Sequence, residues 1–133
     1  VPVSVGVLLV THGKLGHLLL DTLREIMPLP LAADVLEVRR VQAHEVLLSQ
    51  GQKMIERLDS GSGVLLLTDA FGSTPSNIAN KLGALRELPV IAGVNLPMLV
   101  RVFNYPHLPL AQLAQTAIEG GQRGVMACPR PTS

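Results

Sequence analysis

The sequence predicts a three-layer α/β fold: a mainly parallel sheet of order 2-1-3-4, helices on both faces, and a short fifth strand near the C-terminus. Three observations predict it. Apolar runs at residues 3–10, 64–68 and 88–94 are strand-length and turn-bounded, as strands buried on both faces of a parallel sheet should be. Stretches with helical periodicity alternate with those runs, the pattern of βα units with right-handed crossovers. Finally, 47% of the residues are hydrophobic but only 2% aromatic. The core is therefore aliphatic, which suits a sheet covered by helices better than a sandwich anchored by Trp or Tyr. All 133 residues, 1–133, fit one domain with no repeat and no linker.

The first run, Val3 to Val10, reads as a central strand and turns at Thr11-His12-Gly13. Leu15, Leu18, Leu19, Thr22, Leu23, Ile26 and Met27 then mark one face of a helix that Pro28 and Pro30 stop. Residues 34–38 alternate, as a strand near a sheet edge does. A second helix runs from about His44 to Leu58 and buries Ala43, Val46, Leu47, Met54, Ile55 and Leu58; Gly51 weakens it by roughly 1 kcal/mol relative to Ala. Ser60-Gly-Ser-Gly63 feeds the third strand. Ile78, Ala79, Leu82 and Leu85 mark a short third helix, and a fourth strand and a further helix flank Asn95-Leu-Pro97. Pro106 and Pro109 break the chain before a last helix, which Gly120-Gly121 end, and Val125 to Cys128 can form the fifth strand.

Composition excludes several function classes. A net charge of +1, no extended basic cluster and almost no aromatic residues argue against a nucleic-acid surface; Arg39-Arg40 reads as a solvated strand end. The single cysteine, Cys128, allows no internal disulfide and no thiolate metal cluster, which points to the cytoplasm. No apolar run reaches the roughly 18–20 residues of a membrane span, and the first residues lack a secretion signal. His17, His44 and His107 read as solvated helix or loop positions.

The chemistry gathers at two strand ends. His12 closes the first run and Asp69 the third. In the order 2-1-3-4 those strands are neighbours at the switch point, where open α/β sheets place their sites. A carboxylate accepting from Nδ1–H fixes the histidine tautomer and leaves Nε2 free to attack. No serine or cysteine adjoins His12 in sequence, so His12 is read as the nucleophile and phosphorus as its electrophile. The loop Phe71-Gly-Ser-Thr-Pro-Ser-Asn77 supports phosphorus. Thr74 as N-cap and Pro75 as first helical residue aim the N–H groups of Ser76 and Asn77 outward as an anion receptor. Ser73 and Thr74 add hydroxyls, and Gly72 permits close approach. No Walker lysine is present, which argues against nucleotide hydrolysis.

Residues 7–13 (VLLVTHG), 64–77 (VLLLTDAFGSTPSN) and 90–99 (VIAGVNLPML) together resemble the IIA domain of the mannose-class bacterial sugar phosphotransferase system, in order and spacing over nearly the whole chain. The resemblance implies that His12 is phosphorylated and that Asp69 is its hydrogen-bond partner. It further implies that Thr74 helps hold the phosphoryl group, with the Asn95–Pro97 turn as another wall. Phe71 stands where some relatives carry Trp, keeping an aromatic wall. The implied partners are the phosphocarrier HPr as donor and a IIB protein as acceptor, expected on a separate chain. No metal and no organic cofactor is implied. A homodimer is implied, in which the C-terminal strand, at Val125 to Cys128, pairs antiparallel on the partner's sheet. Three alternatives stand beside this reading. One is a regulatory protein that binds partners according to its phosphorylation state. The others are a tetrapyrrole metal chelatase, which wants a second metal ligand across the cleft, and the phosphocarrier subunit of dihydroxyacetone kinase, which lacks the Gly-Ser-Thr-Pro loop.

Overall fold

The computed structural model describes residues 4–132. Its elements are β1 (Gly6–His12), α1 (Leu15–Ile26), β2 (Ala33–Val38), α2 (His44–Leu58), β3 (Val64–Thr68), α3 (Thr74–Arg86), β4 (Val90–Ala92), α4 (Leu96–Phe103) and α5 (Leu110–Arg123). The four strands form one parallel sheet of order β2-β1-β3-β4, as expected. The expected start of the first strand at Val3 lies outside the described residues.

Because successive strand residues face opposite ways, each central strand feeds two cores. Val7 and Leu9 of β1, Val35 of β2, and Leu65 and Leu67 of β3 pack beneath α1, α4 and α5. Leu8, Val10, Leu36, Val38, Val64 and Leu66 pack beneath α2 and α3. Residues 7–10 and 64–67 are fully buried, which explains why these strands read as continuous apolar runs rather than alternating ones.

The helices depart from expectation where glycine does the packing. The buried stripe of α1 is Gly16, Leu20 and Leu23, while Leu15, Leu18 and Ile26 are exposed. A Cβ on Gly16 would sit 2.6 Å from Val35 Cγ1 and 2.8 Å from Thr11 Oγ1. The helix therefore approaches the sheet through a residue that carries no hydrophobic signal. In α2 the buried residues are Leu47, Gly51, Ile55 and Leu58, with Ala43 and Val46 exposed. α3 is longer than expected, with Leu85 exposed. α5 runs through Gly120 and Gly121 instead of ending there. Both are buried against α4, where a Cβ on Gly120 would meet Arg101 Cβ at 2.5 Å.

The expected antiparallel fifth strand is not formed. Residues 125–132 are exposed and without regular structure, and Val125 N–H instead continues the helix end by donating to Gln122 O. A strand exists only against a pairing edge, and this segment pairs with none among the described residues.

Candidate functional site

The β1–β3 register brings the two strand ends together. Val10 pairs with Thr68, so His12 and Asp69 emerge side by side at the carboxyl edge. From β1 the chain crosses to β2, and from β3 it crosses to β4 on the other side. The crevice between those diverging connections is the switch point. Thr11 Oγ1, buried under the turn, accepts the Gly16 N–H at 2.8 Å and ties the start of α1 to the end of β1. Gly13 follows with φ +46, a conformation that lets the chain turn sharply away after His12.

Asp69 Oδ2 accepts two hydrogen bonds from the same residue, the His12 backbone N–H at 2.9 Å and Nδ1 at 2.7 Å. Its other oxygen accepts the Ala70 N–H at 2.9 Å. Burial by itself raises the carboxyl pKa, but the hydrogen bonds from the His12 N–H, the His12 ring and the Ala70 N–H outweigh it and hold Asp69 below its ordinary value. Asp69 is thus an ionised, acceptor-only group, and Nδ1 must carry a proton to meet it. In the neutral ring that leaves the lone pair on Nε2. The His12 side chain is 57% exposed and that of Asp69 only 10%, so the ring reaches solvent while its partner does not.

The loop after Asp69 differs in detail from expectation. Ser73, not Thr74, is the N-cap of α3, and its Oγ accepts the Ser76 N–H at 3.4 Å. Asn77 N–H donates to Ser73 O, and Gly72 N–H to Ser76 Oγ at 3.3 Å. Ser73 donates both its N–H and its hydroxyl to Ala70 O. The amides of Ser76 and Asn77, expected to receive an anion, are therefore already engaged inside the turn. Pro75 has no N–H, so the remaining first-turn donor is Thr74, whose amide has no acceptor within the helix. Ser76 is buried, Asn77 exposed, and Gly72 sits at φ +86 on an exposed bend.

Thr74 and Pro75 line a cavity of about 230 Å³ with His12, Val38, Arg39, Arg40, Gln42 and His44. Three expected walls are not among the residues that line this cavity. Phe71 projects into solvent, 86% exposed. Asn95 is the N-cap of α4, its Oδ1 accepting from Met98 N–H at 2.9 Å and its Nδ2 donating to Gly121 O at 3.3 Å. Pro97 borders a depression between α4 and α5. The segment leading to Asn95 is tied to the site through its backbone, since Gly93 N–H donates to Asp69 O at 2.8 Å.

Sequence reasoning missed Arg39, Arg40, Gln42 and His44. A signal was available: β2 is the other neighbour of β1, and Val38 pairs opposite His12. The residues just after β2 must therefore share His12's edge. Among the described residues, no group of three or more His, Cys, Asp or Glu side chains is arranged to hold a metal ion, and no helix is long and apolar enough to cross a membrane.

Fold and site together define a doubly wound α/β domain that presents a carboxylate-oriented histidine at its switch point. The chain belongs to the EIIA-man family, whose model, described as the PTS system fructose IIA component, matches residues 6–112. Over 127 residues the chain is 29% identical to the PTS system mannose-specific EIIAB component of Escherichia coli (strain K12), and equally to that of Shigella flexneri; the match covers 93% of this chain. The chain spans 39% of the length of these curated relatives. Among solved structures it resembles the mannose/sorbose-specific IIA subunit from Enterococcus faecalis, with a TM-score of 0.83 at 23% identity, covering 97% of this chain and 98% of that one. It also resembles the phosphotransferase system component EIIA from Streptococcus agalactiae, with a TM-score of 0.76 at 19% identity over 92% and 96% of the two chains. At these identities the structural likeness bears on the fold.

Proposed function

We propose that the chain is a cytoplasmic phosphocarrier in which His12 Nε2 takes a phosphoryl group from phospho-HPr and passes it to a IIB protein. The observation that carries this reading is the 2.7 Å contact between Asp69 Oδ2 and His12 Nδ1 on a ring that is otherwise open to solvent. In the transfer step the Nε2 lone pair forms a bond to phosphorus as the bond to the donor imidazole breaks. The donor ring departs with that electron pair. The Nδ1 proton stays on His12, where Asp69 stabilises the positive charge that develops on the ring. Thr74, at the first turn of α3 and on the cavity wall, offers a hydroxyl and a free amide at the positive end of the helix dipole. Such a step is mostly positioning and charge stabilisation, and this equipment suits it.

Residues 1–133 would act as one phosphotransfer domain, with no metal or organic cofactor in the step. A homodimer fits the same reading. Among the described residues no strand pairs with the outer edge of β4, and a groove of about 260 Å³ beside it is lined by Ile91, Ala92, Met98, Ile118 and Val125. An antiparallel strand from a second copy would find both backbone partners and apolar cover there.

Incubation with phosphoenolpyruvate, enzyme I and HPr should place an acid-labile, base-stable label on the wild type and none on His12→Ala. Equal labelling of the two proteins would sink the assignment.

A further inference from the structure

We propose that Arg39 is a movable phosphoryl clamp, held by Glu37 while His12 is bare and turned onto the phosphoryl group once His12 carries it. The inference rests on phosphorylation of His12 and names a residue that the motif around His12 and Asp69 does not contain.

The charge distribution calls for such a residue. Asp69 is ionised and touches the His12 ring. A phosphoryl group on Nε2 adds further negative charge to the same edge, with only a hydroxyl and an amide on the α3 side to receive it. The cavity's arginines, Arg39 and Arg40, enter from the opposite side, at the end of β2. Arg39 directly follows Val38, the register partner of His12. Its guanidinium already lies against the turn, because a Cβ on Gly13 would be 3.9 Å from Nη1. A planar guanidinium fork matches phosphate oxygens better than a point charge does.

The side chain is free to make that move while its backbone is not. Arg39 N–H donates to Gln42 Oε1 at 2.9 Å, and Gln42 N–H returns to Arg39 O at 3.2 Å. Among the described residues the guanidinium is held by one hydrogen bond, Nη2 to Glu37 Oε1 at 2.6 Å. Arg39, together with Gln42, lines two cavities. One contains His12, and the other, about 550 Å³, contains Glu37, His17, Lys53 and Arg57.

Glu37 can release Arg39 without being stranded. Its second oxygen contacts His17 Nε2 at 3.1 Å, and the cations Lys53 and Arg57 line the same depression. Glu37 is therefore a positioning residue: it competes with the phosphoryl group for Arg39 and sets how tightly the phosphoryl group is kept.

The test phosphorylates wild type, Arg39→Gln, Glu37→Gln and the double variant with phosphoenolpyruvate, enzyme I and HPr. It reads the equilibrium share of phosphate between HPr and this chain, and the 31P titration of the phosphohistidine. Arg39 and Glu37 are both partly or fully exposed, and thermal melts establish that each variant is folded. Arg39→Gln should shift the equilibrium toward HPr by about tenfold, the scale of one charge-assisted hydrogen bond partly screened by solvent. It should also raise the second phosphate ionisation. Glu37→Gln should shift the equilibrium toward this chain, and the double variant should match Arg39→Gln, because Glu37 acts only through Arg39. An Arg39→Gln equilibrium within twofold of wild type overturns the clamp while leaving the phosphotransfer reading intact. So does an effect of Glu37→Gln that persists without the arginine. A wild type that takes no label overturns both.

Discussion

Replacing Asp69 by asparagine separates the charge of this residue from its size. The carboxylate accepts from three N–H groups: two from His12 on one oxygen, and one from Ala70 on the other. An amide has one acceptor and one donor end, so no orientation of the substituted side chain satisfies all three. With its oxygen toward His12, the NH₂ group faces the Ala70 N–H. With the NH₂ toward His12, it opposes the His12 backbone N–H and forces Nδ1 to accept, which moves the ring proton to Nε2 and occupies the lone pair of the proposed nucleophile. Either orientation leaves a partly buried N–H against another donor, costing about 1–3 kcal/mol of stability. It also removes the anion that stabilises the charged ring, an interaction worth about 1.5–3 kcal/mol for a hydrogen bond to a charged group. At about 1.36 kcal/mol per factor of ten, single-turnover phosphoryl transfer from HPr should fall by about 10- to 100-fold. Rapid-quench labelling of wild type and Asp69→Asn measures this directly. Transfer by the variant within twofold of wild type would refute the tautomer argument, whatever its stability.

The remaining predictions concern the same edge and the core below it. Because the folded Asp69 titrates below its ordinary value of 3.8, the unfolded state takes up its proton first as pH falls. The stabilisation from Asp69 is therefore complete above that value and lost as pH drops through the lower folded pKa. Urea melts below pH 4 should show a shallower acid decline in Asp69→Asn than in wild type, and identical slopes would refute this. Thr74→Val should leave the melting temperature nearly unchanged, since Thr74 is not the cap of α3 and Ser73 is. The same change should slow single-turnover transfer by about tenfold through the lost hydroxyl. Among the described residues, Thr68 Oγ1 is buried without a hydrogen-bond partner. Thr68→Val should consequently be neutral or stabilising by about 1 kcal/mol in urea melts, and a loss of more than that would reveal a partner. Gly120→Val places a side chain where Arg101 Cβ stands at 2.5 Å and should cost about 1–3 kcal/mol or more through overpacking.

Much of this architecture is legible because the strands announce themselves. Fully buried parallel strands leave unbroken aliphatic runs, and the two central runs each end where a polar residue and a glycine turn follow. The pairing of His12 with Asp69 then follows from strand order. Legibility fails where packing is carried by residues without a hydrophobic signal. Gly16 and Gly120 sit at close helix contacts, yet periodicity counts them as blanks or stops. The cap of α3 reads one residue late because Ser73 and Thr74 are both good caps, and proline is tolerated at either of the next positions. Arg39, Arg40 and His44 carry no signal of their own, because charged residues after a strand usually face water. What places them on the cavity around His12 is that β2 neighbours β1, which the expected strand order contains but no local pattern shows.

The single oxygen that receives both the backbone and the ring of His12 has a further consequence. That atom belongs to the residue immediately after β3, and its two donors belong to the last residue of β1. The direction of the imidazole is therefore dictated by how the two strands are aligned. A slip of one residue between them would turn every side chain to the wrong face and carry the carboxylate out of reach. A chain whose central strands are misaligned therefore cannot orient its histidine, so the geometry of the site is itself a check on the register of the sheet.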